Sequence, residues 1–297
     1  MLRNKGIALI QVLIITMVLT ILGLFITQSI RGQVNTALKI QTNVDLGLKI
    51  ETAEAILIQE LLTNIRYADK DSENALVKRW NFYGEPFQLN DYVMVKMQDL
   101  NGLLSFNVMS HSLAASLLAE LGVEDHPART FLDSLKDWID KDDLKYINGA
   151  EKNYYRRMNL VGPRDGQLQT FNEVLSIKMG DILPLETWAL YFTEQLTTSF
   201  NPLNAPPLIL KALLQDQSRT DDIIAMRNSK ELSPLRFTQM TGIDNDEYFN
   251  FATGRKIKVE LLAESGNIHL KKQFVVEVKP YDPKRPVIIT DVSWNKK

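Results

Sequence analysis

The sequence predicts an α+β protein: a long N-terminal helix packed on an antiparallel sheet, with a large all-helical domain inserted into that sheet. Three observations predict it. Residues 7–30 carry no charged side chain, and apolar residues then recur at Ala53, Leu57, Leu61 and Ile65, the spacing of one helix face. Strand-like segments, 92–98 towards one end and 257–263 with 274–278 towards the other, bracket the middle of the chain. Between them, residues 107–245 read as short helices punctuated by Pro, Asn, Asp and Gly.

The apolar run is long enough to cross a bilayer, since about twenty helical residues span its core. Arg3 and Lys5 precede it and predict a cytoplasmic N-terminus, with everything after Arg31 on the far side. The helix is expected to continue well beyond the membrane, with Gly32 and Gly47 as soft points. Trp80-Asn-Phe-Tyr-Gly-Glu-Pro86 is a turn-rich aromatic segment. The alternating 92–98 strand, the Asp99-Leu-Asn-Gly102 turn and a return over 103–106 read as a hairpin.

In the middle segment, Ser112 is expected to cap a helix carrying Leu113, Leu117 and Leu121, ended by Gly122. Pro127 suits the first turn of a second helix bearing Leu132, Leu135 and Ile139. Asn204-Ala-Pro-Pro opens another with Leu210, Leu213 and Leu214, followed by one with Ile223, Ile224 and Met226. The two halves close alike, at 171–180 and 235–242, which reads as a diverged duplication whose units pack on one another. Ser265-Gly-Asn then joins two strands as a hairpin, and 287–292 is either an edge strand or a mobile tail.

Composition narrows the function. A net charge of −2 over 297 residues argues against a dominant nucleic-acid surface. The absence of cysteine removes disulfides, thiolate metal sites and cysteine nucleophiles. His111, His126 and His269 lie far apart, outside any zinc or hydrolase motif, so no catalytic residue is assigned and an enzyme is not expected.

The one constellation with metal chemistry is Asp137, Asp140, Asp142, Asp143 and Glu151. Calcium takes six to eight hard oxygen ligands, which clustered aspartates in a loop can supply. The spacing is not an EF-hand, because the sixth position from Asp140 is Lys145 where that loop needs glycine. The competing reading is a solvated acidic helix end eased by Lys136, Lys141 and Lys145, with Asp137 as a capping or solvent-facing residue.

Three readings of the N-terminus compete. A cleaved secretory signal lacks small residues at the end of the run, an uncleaved anchor is open, and the third rests on a basic leader ending in Gly6. Gly6 followed by Ile7, Ala8, Leu9 and Ile10 resembles the leader of type IV pilins and type II secretion pseudopilins. The resemblance implies cleavage by prepilin peptidase between Gly6 and Ile7 and methylation of Ile7. It divides the chain into a leader (1–6), a transmembrane part (7–30), the rest of the helix with the first strands of a pilin-like domain (31–106), the insertion (107–245) and closing strands (246–297). That family expects glutamate as the fifth mature residue, where this chain has Gln11.

The missing glutamate resembles the K-type minor pseudopilins. Four motifs stand in that family's order: Asp99-Leu-Asn-Gly-Leu-Leu-Ser-Phe-Asn107, Asp137-Trp-Ile-Asp-Lys-Asp-Asp143, Gly149-Ala-Glu-Lys-Asn-Tyr-Tyr155 and Phe200-Asn-Pro-Leu-Asn-Ala-Pro206. The first departs at Ser105-Phe106, where asparagine-leucine is expected. The resemblance implies a pseudopilus-tip subunit of type II secretion, bound calcium, and I-type and J-type minor pseudopilins as partners. It also implies a single-pass inner-membrane anchor with a periplasmic globular part and no nucleic acid. The rival is a membrane-anchored helix-hairpin-helix DNA-binding protein of competence type, suggested by the Asn204 segment. Its turn, Leu214-Gln-Asp-Gln-Ser218, lacks the glycine that such hairpins offer to phosphate, although Arg219 and Arg227 remain as possible phosphate partners.

Overall fold

The computed structural model describes residues 5–295, with side chains from residue 9 onward. Residues 1–4 of the expected leader, and the side chains of Gly6 and Ile7, lie outside the described residues. α1, Lys5–Thr63, is one unbroken helix of 59 residues, about 90 Å long at 1.5 Å per residue. Neither Gly32 nor Gly47 interrupts it. From Leu9 to Lys39 it is exposed on every face. There the hydroxyls of Thr20 and Thr27 donate to the carbonyls of Thr16 and Gly23, so these polar groups bring no unpaired donor into an apolar setting. Its later part buries the stripe Leu46, Ile50, Ala53, Leu57 and Leu61. Ile65, expected on that stripe, lies past the helix end and is 68% exposed.

α2 (Ala75–Arg79) leads to β1 (Phe87–Asn90) and β2 (Val93–Asp99), followed by a 3-10 turn, Leu100–Gly102. The insertion holds β3 (Leu104–Ser105), α3 (His111–Glu120), α4 (Asp125–Ile139), α5 (Lys152–Arg157), α6 (Leu185–Tyr191), β4 (Phe192–Thr193), α7 (Pro207–Leu214), α8 (Gln217–Asn228) and α9 (Pro234–Thr241). β5 (Lys256–Ser265), β6 (Ile268–Val278) and β7 (Val287–Trp294) complete the main sheet, ordered β1-β2-β5-β6-β7 and antiparallel throughout. β2 and β5 pair from Val93↔Ala263 to Asp99↔Ile257, so strands from opposite ends of the sequence are neighbours. Val93, Val95 and Met97 share one core with Ile257, Val259, Leu261, Phe274, Val276 and the α1 stripe. Lys272 of β6 pins the helix, pairing with Glu51 at 2.7 Å and Glu54 at 2.5 Å.

Two local expectations are corrected and one open alternative is resolved. Residues 103–106 do not return to β2: Leu104–Ser105 pairs in parallel with Phe192–Thr193 as a small second sheet. Leu103, Leu104 and Phe106 are all buried in the insertion's core, a continuous apolar run rather than an exposed hairpin arm, and Phe106 stacks on Phe192 at 5.1 Å. This two-residue pair accompanies the insertion's helices, and their core also takes in Leu100, Leu103, Leu104 and Phe106 ahead of residue 107. The cap of α3 is Ser110, which accepts from the Leu113 N–H, and Ser112 lies inside the helix. The 287–292 tail is the edge strand of the two alternatives.

The join between sheet and insertion is built on one carboxylate. Asp99, fully buried at the end of β2, accepts from the Asn101 N–H (3.0 Å), the Asn201 amide (3.2 Å), the Asn204 amide (2.9 Å) and the Gly254 N–H (3.2 Å). Burial raises its pKa, while all four donors and the nearby Arg66 favour the charged form. The backbones meet so closely that a Cβ on Gly102 would stand 2.3 Å from the Asn204 carbonyl oxygen, which only glycine tolerates. Replacing Asp99 with Ala orphans several buried donors. The expected cost is about 2–4 kcal/mol, read as a lowered denaturation midpoint in detergent. Asp99→Asn is expected to cost nearly as much, because an amide presents its NH2 to neighbours that only donate.

Candidate metal centre

α4 is strongly two-sided, and its buried face carries two acids one turn apart, Asp133 and Asp137. Both hold the loop that follows. The Asp137 carboxylate accepts from the Tyr146 N–H at 3.0 Å, and Asp133 accepts from the Asn148 backbone and side-chain nitrogens at 3.1 and 3.0 Å. The Lys178 ammonium bonds the Asn148 carbonyl at 2.9 Å from the other side. Gly149 packs directly on Asp137, where a Cβ would stand 1.9 Å from its Oδ2. The loop thus returns Glu151 to the end of α4, and α5 starts at the next residue. Trp138 and Tyr155 meet edge to face at 5.3 Å beneath it.

Of the five acids singled out in the sequence, Asp137, Asp140 and Glu151 come together, with Asp143 close enough to act on Glu151. Asp142 stands at the edge of this group: it is exposed and caps its own turn by accepting from the Leu144 N–H at 2.8 Å, and its charge acts on Asp140. Asp137 is fully buried, which overturns the solvent-facing reading. The structure adds Asp165, which acts on Asp140 and pairs with Lys152. Nothing in the sequence marked it, since it lies in a loop well past the acidic motifs.

These acids are poorly satisfied. Asp137 Oδ2, Asp140 Oδ1, Asp165 Oδ1 and both oxygens of Glu151 are buried without a hydrogen-bond partner. Burial, then Asp137, Asp140 and Asp143, pushes the Glu151 carboxyl up to about 7. Burial and neighbouring carboxylates also raise Asp140, and burial raises Asp137 against the pull of the Tyr146 and Ala150 N–H groups. Among the described residues no three acidic or histidine side chains already close on one point. The arrangement is a set of neighbouring buried carboxylates short of positive charge, whose hard oxygens are of the type that calcium takes.

The DNA-binding alternative loses its remaining contacts. The α7–α8 turn places Gln215 in the left-handed region (φ 50°), and Asp216 caps α8 through the Arg219 N–H. Arg219 pairs with Asp216 at 3.5 Å. Arg227 is 5% exposed, donates to the Ala205 carbonyl at 2.6 Å and covers the Tyr83 ring at 4.1 Å. It is a bolt between insertion and sheet, beyond the reach of phosphate. The histidines do not converge: His126 and His269 are exposed, and burial holds the partly buried His111 down at about 4.

Comparison with known proteins agrees with this architecture. Residues 87–182 match the family model for type II secretion system (T2SS) protein K. The chain is 25% identical over 171 residues to a putative type II secretion system protein K of Escherichia coli K12, covering 52% of this chain and 51% of that protein. It is 27% identical over 174 residues to type II secretion system protein K of Klebsiella pneumoniae, with the same coverage. The matched region thus spans about half the length of these curated relatives. In structure it resembles a chain of the GspK-GspI-GspJ complex from enterotoxigenic Escherichia coli, with a TM-score of 0.54 at 12% identity, covering 86% of this chain and 98% of that one. The segment that starts at β1 and carries the acidic loop, residues 87–182, is thus the part of the chain that matches the protein K family model, and the chain is similar to type II secretion system protein K over about half its length.

Proposed function

We propose that this protein is a minor pseudopilin at the tip of the type II secretion pseudopilus, where it nucleates or caps the filament with I-type and J-type minor pseudopilins. The observation that carries this reading is the combination of a segment that matches the protein K family model with α1 as its handle. α1 is exposed and apolar over a window of mean hydropathy 2.7, then docked along a sheet. A helix of that kind anchors the chain in one bilayer crossing and offers apolar faces to neighbouring helices. The globular part stands in the periplasm, prepilin peptidase cuts between Gly6 and Ile7, and the role is one of assembly without covalent chemistry.

Asp137, Asp140, Asp165 and Glu151 would hold a calcium ion, with Asp142 and Asp143 at the rim. Bound there, calcium supplies the positive charge the cradle lacks and ties the 140–151 loop to the segment around Asp165. The orphaned buried carboxylate oxygens support this assignment.

Three outcomes are expected. Co-expression with I-type and J-type minor pseudopilins should yield a ternary complex that survives size exclusion, and failure to recover either partner in calcium would sink the tip model. Mass spectrometry of the N-terminal peptide should find methylated Ile7 only in cells that contain prepilin peptidase. An N-terminus that still includes Gly6 would instead mark a permanent anchor. Finally, the Glu151 carboxyl is raised from 4.5 to about 7 in the fold, so the metal-free folded state holds more protons than the unfolded chain. Metal-free stability should therefore be greatest below about pH 4.5 with respect to this group and fall as pH rises towards 7, by on the order of 3 kcal/mol at most. Calcium should remove that loss, as thermal unfolding across the pH range with and without chelator would reveal.

A further inference from the structure

We infer that Lys152 is the resident counter-ion of the acidic cradle and competes with the incoming cation, so that metal loading displaces its ammonium from Asp165 and Asp143. This rests on the calcium reading of the site and goes beyond it by assigning a residue that sets affinity. The Lys152 Nζ lies 3.7 Å from Asp143 Oδ1 and bonds Asp165 Oδ2 directly. Of the other cations nearby, Lys136 lies over the Tyr146 ring, Lys178 bonds the Asn148 carbonyl and Arg164 pairs with Glu173, while Lys145 and Lys178 act on Asp137 through their charge without an ion pair. Among the described residues, Lys152 is the one cation ion-paired with the acids of this site.

Its position explains what it does and what it leaves undone. Lys152 follows Glu151 directly but draws its charge towards the outer acids, Asp143 and Asp165. Both Glu151 oxygens, in a residue only 6% exposed, and Oδ2 of fully buried Asp137 meet no ammonium or well-formed hydrogen bond, the Lys152 backbone N–H exerting the one pull on Glu151. Asp165 is held in the left-handed region (φ 56°), with Oδ2 on Lys152 and Oδ1 buried without a partner. One ammonium thus serves the rim of a site whose deeper oxygens remain unmatched. A divalent ion among those oxygens carries twice the charge and repels the ammonium at close range. The Lys152 side chain is 43% exposed, so it can swing into water at little cost. Metal-free, it holds the loop and the Asp165 segment together; metal-bound, it is a competitor that has been dismissed.

Two opposite signs follow, which a purely structural lysine would not produce. Calcium chloride is titrated calorimetrically into the full chain in detergent, and thermal unfolding is followed in chelator, for wild type, Lys152→Met, Lys152→Gln and Lys152→Arg. The two neutral variants are expected to bind calcium about tenfold more tightly while melting earlier in chelator, and Lys152→Arg to stay within about threefold of wild type. Unchanged or weaker calcium binding in both neutral variants, with wild type binding normally, overturns the role of Lys152 and leaves the calcium site standing. Absence of calcium heat and of any calcium-induced stabilisation in every protein overturns the calcium reading and this inference with it.

Discussion

The fold depends on a buried carboxylate that has no choice of partners. Asp99 ends β2 where the chain leaves the sheet, and its four donors come from the start of the insertion, from the Asn201–Asn204 turn and from the segment that re-enters β5. Thr253 beside it reaches back to the Arg66 carbonyl just past α1. Handle, sheet and insertion therefore meet at one charge. A buried charge with both oxygens hydrogen-bonded is tolerable, and once any of these segments is misplaced it becomes a large penalty. That asymmetry gives the join its specificity: apolar packing alone would accept many relative placements of two cores, whereas Asp99 accepts one. Arg227 on Tyr83 and the Gln98 amide on the Asn204 carbonyl (3.0 Å) reinforce the same seam.

The acidic cradle is the opposite case. Asp99 is surrounded by donors, whereas Glu151 is surrounded by carboxylates and finds almost none. A protein that merely needed polar groups to fix a loop would follow the pattern of Asp133, whose carboxylate is met by both nitrogens of Asn148. The two kinds of acid stand one helical turn apart on α4, so local helix chemistry does not explain the difference. What differs is how far the loop answers each charge: Asp133 is met by both Asn148 nitrogens, Asp137 takes loop N–H groups while its Oδ2 stays unmatched, and Asp140 and Glu151 face mainly other carboxylates.

The parts of this structure written in local pattern were legible in the sequence. The α1 handle, the β5–β6 hairpin and the helices around Leu117, Leu135, Leu210 and Ile223 follow from periodicity and turn residues that act within a few positions. The errors fall where a distant segment decides. Leu103 to Phe106 has strand chemistry, but its partners are Phe192 and the aromatic cluster around Trp188, remote in sequence, so it left the expected hairpin. Ile65 continued a four-residue spacing one turn beyond the helix. In the candidate site, the acids on α4, at Asp142 and at Glu151 were visible because they cluster, although Asp142 also caps its own turn, and Asp165 was invisible because only folding brings it near. Asp99 and Asn204 appeared in the quoted motifs, yet nothing in their spacing revealed that they bond each other.

The position of the insertion also bears on why such a subunit would end a filament. The chain leaves the sheet at Asp99 and returns at Lys256, and both points lie beside Arg66, at the end of α1 farthest from its apolar segment. The insertion is thus joined to the rest of the protein near the end of α1 farthest from its apolar segment. Gln11 fits the same arrangement. A membrane-embedded glutamate is costly unless a neighbour's charge answers it, and in the pseudopilin resemblance that neighbour is the N-terminal amine of another subunit. A subunit at the tip has no successor to present that amine, so an uncharged glutamine removes the cost of an unanswered carboxylate. An insertion joined near one end of α1 and neutrality near the other then fit a single constraint: under the proposed function, nothing is added beyond this chain.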